Sequence, residues 1–146
     1  MTMSTAFSVI ADTYDTTFTE TAVGALQRTA VWNRLAPLKG SLSVLEINCG
    51  TGADAVWMTK RGWQVLATDV SGEMVEITRK KIEQSGLSNQ ANAQVCAFSE
   101  IGSLKAGPFD LIFSNFGGLN CIPPEDLTVL AAALDSKLKP GGQFIA

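Results

Sequence analysis

Apolar and polar positions follow two different periods along this chain, and the two periods alternate. Short, mostly apolar runs predict buried strands, whereas apolar residues three or four positions apart predict helices. The predicted strands occupy residues 42–47, 64–68, 93–97 and 109–113, and a fifth begins at 143–146. The predicted helices occupy residues 19–36, 53–61 and 72–84, with a leucine stripe at positions 127, 130, 134 and 138.

The order of these elements predicts an α/β fold. Strand–helix–strand units with right-handed crossovers give a doubly wound, mostly parallel sheet with helices on both faces. We therefore divide the chain into an N-terminal helical cap, residues 1–40, and a core, residues 41–146. Ligands of such sheets bind beyond the carboxyl ends of the strands, so the informative residues are those that follow each strand.

Composition and charge exclude several classes of function. The net charge is −3 and the only basic run is Arg79-Lys80-Lys81, so we expect no nucleic-acid groove. The absence of histidine excludes a Ser-His-Asp triad and a histidine-ligated metal. The three cysteines form no C-x-x-C pair, which predicts reduced thiols, no metal site and a cytoplasmic protein. We expect no signal peptide and no membrane span.

A glycine loop between the first strand and the next helix is the strongest candidate binding feature. Gly50 and Gly52 permit a sharp turn and close approach of a ligand. Glu46 lies near the end of the apolar strand, where a buried carboxylate needs loop N–H groups or a ligand amine. Asp69 ends the second strand, where a carboxylate can accept both hydroxyls of a ribose. The alternatives are a tight turn without ligand and a helix-entry role for Asp69.

Four segments stand in an order and at a spacing that match one known family. Residues 44–52 read V-L-E-I-N-C-G-T-G, residues 67–71 read A-T-D-V-S, residues 109–115 read F-D-L-I-F-S-N and residues 138–142 read L-K-P-G-G. They resemble, in turn, the cofactor loop, the second-strand acid, the fourth strand and the turn before the fifth strand of class I S-adenosylmethionine-dependent methyltransferases. The resemblance implies a Rossmann-like sheet, S-adenosylmethionine as cofactor and methyl transfer as activity.

The resemblance also implies a role for each cofactor-binding residue. Glu46 would organise the loop near the methionine amino group, and Gly50 and Gly52 would let the backbone pass the cofactor. Asp69 would hold the ribose hydroxyls, and Val70 would pack on the adenine. The complete predicted set is Tyr14, Glu46, Asn48, Cys49, Gly50, Gly52, Asp69, Val70, Ala97, Phe98, Asn115 and Phe116.

Three further parts of the site are implied in the same way. Ala97 and Phe98 would border the adenine edge, and Asn115 with Phe116 would face the methionine moiety and the transferable methyl. Tyr14 resembles an N-terminal tyrosine that covers the cofactor in members acting on small molecules, with helix packing as the alternative.

Two positions and one segment depart from the family pattern. Asn48 stands where the family has a loop glycine, and asparagine tolerates positive φ better than other non-glycine residues, so we expect the turn to survive. Cys96 stands where the family often has an acidic residue for the adenine amine, with Glu100 as the expected substitute. The segment 116–120 either shapes an acceptor site or is a flexible connection.

The chemistry of transfer is predicted only in outline. The cofactor carries an activated methyl, so positioning supplies much of the rate, and an acceptor oxygen or nitrogen also needs a base. Without histidine, only carboxylates or Tyr14 remain as bases, and no catalytic residue is assigned. We expect a small-molecule acceptor, with no nucleic-acid or membrane partner.

The sheet is expected to be incomplete at its C-terminal side. The family's sheet has seven strands in the order 3-2-1-4-5-7-6, and this sequence supplies five. The sequence therefore predicts a truncated form that binds cofactor with little activity. The unpaired edge of the fifth strand would favour self-association.

Two other functions fit parts of the sequence. One is a module that binds S-adenosylmethionine without catalysis. The other is an NAD-dependent oxidoreductase, because Gly50-x-Gly52-x-x-Ala55 followed by Asp69 fits the dinucleotide fingerprint. Glu46 before the loop and the Lys-Pro-Gly-Gly turn count against NAD.

Overall fold

Five strands and five α-helices make up the described part of the chain, residues 3–146 of a computed structural model, with side chains described from residue 8 onward. The strands are β1 (Ser43–Ile47), β2 (Gln64–Asp69), β3 (Ala91–Val95), β4 (Phe109–Ser114) and β5 (Leu138–Ile145). The helices are α1 (Met3–Tyr14), α2 (Ala22–Leu35), α3 (Ala53–Lys60), α4 (Gly72–Gln84) and α5 (Pro124–Lys137). A π-helical segment covers Asp15–Thr19, and 3-10 helices cover Phe98–Ser103 and Gly118–Cys121.

The strands form a single parallel sheet in the order β3-β2-β1-β4-β5. This confirms the predicted α/β, doubly wound architecture. Strand order reverses between β1 and β4, which opens a crevice at the carboxyl ends of these two strands. No helix within residues 3–146 combines the length and apolar composition that crossing a bilayer requires.

The core lies on both faces of the sheet, and β1 supplies residues to each. Val44 joins a cluster on one face that includes Trp63 and Phe113. Leu45 joins the cluster on the other face, together with Ile112. The central strand is therefore apolar at successive positions because both of its faces are buried.

The core elements agree with their predicted bounds to within a few residues. Helix α4 occupies the predicted residues 72–84, and the Ser71 hydroxyl accepts a hydrogen bond from the Met74 N–H at 3.2 Å, as an N-cap does. Strand β3 begins and ends two residues earlier than predicted, at 91–95, because Ala91 and Ala93 are the residues that face the core. Cys96 therefore lies in the loop beyond the strand.

The N-terminal region corrects the sequence prediction in two ways. Residues 3–14 form α1, although no helix was predicted there. The sequence pattern places Val23, Leu26, Ala30 and Leu35 on one buried face of α2, but of these only Leu35 is buried, since Val23 and Leu26 are 63% and 71% exposed. Arg28 is buried as well, so this helix turns a partly polar face towards the sheet.

The Lys-Pro-Gly-Gly segment lies inside β5 rather than before it. Leu138 pairs with Phe109, and Gln143 pairs with Leu111. Between these two pairs β5 has several more residues than β4, so the register shifts there. The predicted turn is thus an irregularity within the strand, and the strand starts earlier than residue 143.

Candidate cofactor site

A cavity of about 870 Å³, including its open mouth, lies at the carboxyl ends of the strands. Its walls come from the loops after β1, β2, β3 and β4 and from two N-terminal residues, Tyr14 and Arg28. Nine of the twelve predicted binding residues line it: Tyr14, Asn48, Cys49, Gly50, Asp69, Val70, Phe98, Asn115 and Phe116. The other three, Glu46, Gly52 and Ala97, lie outside this lining.

The two loop glycines have different surroundings. Gly50 has φ +55°, and a Cβ added there would meet no heavy atom within 4 Å, so its backbone is open to the cavity. Gly52 has φ +81°, and a Cβ there would lie 2.6 Å from the Thr78 methyl. The Thr78 hydroxyl also donates to the Gly50 carbonyl at 2.9 Å. Gly52 therefore allows α4 to pack closely against the loop, whereas Gly50 leaves room for a ligand.

Asn48 holds the loop after β1 against the loop after β4. Its φ of 51° confirms that asparagine occupies the left-handed region where the resembling family has glycine. Its side-chain amide donates to the Asn115 carbonyl at 2.8 Å, and its side-chain oxygen accepts from the Ser114 hydroxyl at 2.5 Å. The substitution thus adds two hydrogen bonds that glycine cannot make.

The Asp69 carboxylate links the loop after β1 to the loop after β2. One oxygen accepts the Gly50 N–H at 2.9 Å and the other accepts the Ser71 N–H at 3.0 Å. Burial raises the pKa of Asp69, although these backbone N–H groups oppose the shift. Each carboxylate oxygen can accept a further hydrogen bond, so the helix-entry role of Asp69 does not exclude a ligand.

Glu46 lies behind the cavity wall and is 1% exposed. Its Oε2 atom has no hydrogen-bond partner, so the expected N–H groups of the loop do not reach it. Burial raises the pKa of Glu46 well above its ordinary value; Asp54 adds to this shift and Arg28 opposes it. The ionised form of this carboxyl group is therefore unfavourable unless a cation lies close to it; otherwise the group binds a proton.

A buried ion pair at the cavity was missed from the sequence. Arg28 Nη1 lies 3.1 Å from Asp54 Oδ2, and the two side chains are 8% and 5% exposed. The guanidinium carbon of Arg28 lies over the Phe116 ring, 4.7 Å from its centroid, and Arg28 Nε has no hydrogen-bond partner. Neither residue belongs to a recognisable motif, since Arg28 follows no apolar period and Asp54 resembled an ordinary acidic residue in the first turn of a helix.

The segment around the π-helix covers one side of the cavity. The ring centroids of Tyr14 and Phe18 lie 5.5 Å apart. The Phe18 ring packs edge to face on Phe116, with the centroids 5.2 Å apart. Asp15 accepts a hydrogen bond from the Thr51 hydroxyl at 2.6 Å and pairs with Lys81. The N-terminal region is therefore attached to the cofactor loop and to α4 by polar contacts as well as by aromatic packing.

The end of β3 differs from the prediction in one respect. Cys96 and Phe98 line the cavity, whereas Ala97 borders a neighbouring groove that it shares with Phe98. The Glu100 carboxylate accepts the Ala97 N–H at 2.8 Å and lies outside the cavity lining. Glu100 therefore does not substitute for the acidic residue that Cys96 replaces.

Sequence comparison now identifies the family. Residues 44–142 match the sequence profile of the Methyltransferase domain family. The chain belongs to this methyltransferase domain family. Its cofactor is that of the family, S-adenosylmethionine. The match therefore favours the methyltransferase interpretation of the glycine loop over the NAD-dependent one.

Individual methyltransferases are similar over most of the chain. The tRNA 5-carboxymethoxyuridine methyltransferase of Escherichia coli K12 is 30% identical over 143 residues, which cover 93% of this chain and 53% of the relative. The demethylmenaquinone methyltransferase of Clavibacter sepedonicus is 28% identical, covering 98% and 56%. The CcbJ methyltransferase from Streptomyces caelestis superimposes with a TM-score of 0.79 at 25% identity, covering 98% and 57%. The chain thus spans about half the length of these relatives.

Proposed function

We propose that this chain is the S-adenosylmethionine-binding part of an enzyme that methylates a small-molecule acceptor. The observation that carries the proposal is a pair of buried, unpartnered polar atoms of opposite character next to the cavity, Arg28 Nε and Glu46 Oε2. The methionine end of the cofactor has a carboxylate and an ammonium group. A buried polar group without a hydrogen bond costs free energy. A ligand that carries both charges would supply a partner for each of the two atoms.

The remaining cofactor contacts follow from the cavity lining. Asp69 would accept the ribose hydroxyls with the free lone pairs of its carboxylate. Val70 and Phe98 would pack against the adenine, and Gly50 would let the backbone approach without a Cβ. Arg28 would donate to the cofactor carboxylate, a role that no sequence motif predicted. The twelve residues of the sequence prediction remain part of the proposal, with Gly52 contributing through its packing on Thr78.

The bound cofactor supplies a methyl group already activated on a sulfonium. The task of the protein is then to orient the acceptor and exclude water, and the cover formed by Tyr14 and Phe18 serves both purposes. Burial, the main cause, raises the pKa of Tyr14, so this phenol stays protonated at neutral pH. Tyr14 is therefore suited to hydrogen-bond donation and unsuited to act as a base.

A small acceptor is favoured by charge and by enclosure. The chain is acidic, with a net charge of −3, and its longest basic run has three residues. Binding of RNA by its phosphates needs a larger positive surface. The N-terminal cover also narrows the approach to the cavity. The proposal includes a cytoplasmic location, which the three unpaired cysteines support.

A thermal-shift measurement with S-adenosylmethionine, S-adenosylhomocysteine and NAD tests cofactor binding. A ligand at about 100 times its dissociation constant stabilises the fold by about 2.7 kcal/mol, which raises Tm by roughly 5–10 °C for a domain of this size. We expect this shift with the two adenosyl ligands and none with NAD. A shift with NAD alone would overturn the proposal.

The acceptor is tested on the full-length protein with a radiolabelled methyl donor and a cell extract. We expect the label in the fraction of small molecules that passes a low-molecular-weight filter. Label that stays in the retained fraction and becomes filterable only after ribonuclease treatment would contradict the small-molecule proposal and favour an RNA acceptor. Label retained after ribonuclease but released by protease would favour a protein acceptor.

A further inference from the structure

The Asp54 carboxylate contacts three nitrogen donors, two from α2 and one from the loop after β4. Its Oδ1 accepts the Trp32 indole N–H at 2.7 Å. Its Oδ2 accepts the side-chain amide of Asn115 at 2.9 Å and lies 3.1 Å from Arg28 Nη1. Asp54 also lies in the first turn of α3, whose free N–H groups favour a negative charge there. A carboxylate that only complements a helix dipole is usually exposed, whereas this one is 4% exposed.

The consequence of this arrangement is a fixed orientation for Arg28. Nη1 pairs with Asp54, and the guanidinium carbon lies over the Phe116 ring. A planar guanidinium held by an ion pair and against an aromatic ring presents its other N–H groups in a defined direction. Arg28 lines the cofactor cavity, and its Nε is buried without a partner. The Arg28 guanidinium is thus oriented before any ligand binds.

We propose that Asp54 is a positioning residue of the cofactor site, which acts on the carboxylate of the cofactor through Arg28. This inference rests on the function proposed above. Asp54 neutralises Arg28 within the fold and fixes its direction, so binding requires little reorganisation of a long, flexible side chain. The same carboxylate accepts a hydrogen bond from Asn115 on the loop after β4. This contact fixes the position of the opposite cavity wall relative to Arg28.

The decisive comparison uses Asp54→Asn, which preserves shape and removes the charge. Binding of S-adenosylhomocysteine and of 5′-methylthioadenosine, which lacks the amino-acid portion, is measured by isothermal titration calorimetry. We expect the first dissociation constant to rise at least about tenfold, the scale of one charge-assisted hydrogen bond, and the second to change less than about twofold. A purely structural role for Asp54 would weaken both ligands alike.

Asp110→Asn is the matched control. Like Asp54, Asp110 accepts an N–H hydrogen bond, here from the Ser43 backbone at 2.8 Å, and pairs with a cation, Lys139 at 3.0 Å. It lies near the amino end of β4, away from the cavity. We expect this variant to bind both ligands as the wild type does.

A double-mutant cycle with Arg28→Met tests whether Asp54 acts through Arg28. The combined R28M/D54N variant should bind S-adenosylhomocysteine within about twofold of R28M alone, since the group that Asp54 positions is already absent. This pair also decides the matter if D54N alone does not fold, because replacing both members of a buried ion pair is often tolerated.

Three results would overturn the inference. They are equal weakening of both ligands by D54N, no weakening of either, and a further loss of affinity when D54N is added to R28M. Failure of the wild-type chain to bind S-adenosylhomocysteine is a different outcome, because it rejects the proposed function itself.

Discussion

The side-chain amide of Asn48 donates to the backbone carbonyl of Asn115 at 2.8 Å and thereby ties the loop after β1 to the loop after β4. These loops flank the point where strand order reverses, so their separation sets the width of the cavity. The bond exists because Asn48 takes a left-handed conformation, with φ 51°. A residue that departs from the family pattern has therefore become a structural link between two walls of the site.

Substitutions at Asn48 separate the hydrogen bonds from the backbone strain. Asn48→Ala removes both side-chain bonds and keeps an unfavourable positive φ, so we expect a loss of about 2–3 kcal/mol in the free energy of unfolding. Asn48→Gly loses the same bonds but relieves the strain, and the expected loss is about 1 kcal/mol. Urea denaturation of both variants measures the difference. If the glycine variant is the less stable one, strain at residue 48 is not significant.

The structure explains which features the sequence could predict. Helix α4 was predicted to the residue because its start depends on Ser71, which caps it, and on local spacing. The positions of Gly50 and Asp69 at the carboxyl ends of β1 and β2 were also predicted, since a strand end, a glycine and an acid lie close together along the chain. The Arg28–Asp54 pair could not be found, because it depends on how α2 docks against α3 in three dimensions. The apolar pattern of α2 predicted only Leu35 among its buried residues.

Alanine substitution of Gly52 should mainly reduce stability, whereas alanine substitution of Gly50 should mainly weaken ligand binding. Gly52→Ala would bring its Cβ to 2.6 Å from the Thr78 methyl at a positive φ, so we expect a loss of about 2–3 kcal/mol in stability. Gly50→Ala meets no neighbouring atom, and the conformational cost alone is about 1 kcal/mol. However, the new methyl group lies at the cavity, so Gly50→Ala should weaken S-adenosylhomocysteine binding more than Gly52→Ala does.

Denaturation and calorimetry on the same two variants test this reversal. The prediction requires that the ranking by stability and the ranking by affinity differ. If Gly52→Ala were both the less stable variant and the weaker binder, the assignment of Gly50 as the residue that admits the ligand would be wrong.

Glu46 should make stability fall as pH rises. Its pKa in the folded protein is raised well above its ordinary value of 4.5, mainly by burial. Between these two values the folded state binds more protons than the unfolded state, so the free energy of unfolding decreases with pH, by at most about 1.4 kcal/mol per pH unit. Glu46→Gln removes this dependence, and we expect the variant to gain stability relative to the wild type as pH rises above about 4.5.

The measurement is urea denaturation from pH 4 to pH 8, with Glu73→Gln as the control. Glu73 is exposed, and hydrogen bonds, first that from Ser8, lower its pKa. Its carboxylate is therefore almost fully ionised in both states above about pH 5.5, and its substitution should leave the slope above that pH unchanged. An equal pH slope in Glu46→Gln and in the wild type would show that Glu46 titrates normally.

We predict that Asp15 anchors the N-terminal cover, formed by Tyr14 and Phe18, to the cofactor loop and to α4. It accepts a hydrogen bond from Thr51 and pairs with Lys81; burial opposes ionisation, but these contacts lower the pKa of Asp15 below its ordinary value of 3.8. Its contribution to stability is therefore complete above pH 3.8 and is lost as pH falls through the lower folded value. We expect Asp15→Asn to reduce the free energy of unfolding at pH 7 by about 1 kcal/mol, since the pair is partly exposed.

The same substitution should act on the cofactor through the cover. Tyr14 adjoins Asp15 and lines the cavity, so loosening this segment should speed the dissociation of S-adenosylhomocysteine more than it slows its association. Stopped-flow measurements of Asp15→Asn, Lys81→Met and the double variant separate the contributions. If the ion pair fastens the cover, the double variant dissociates no faster than either single variant. Additive effects on the dissociation rate would mean that Asp15 and Lys81 act independently, with Thr51 as the contact that matters.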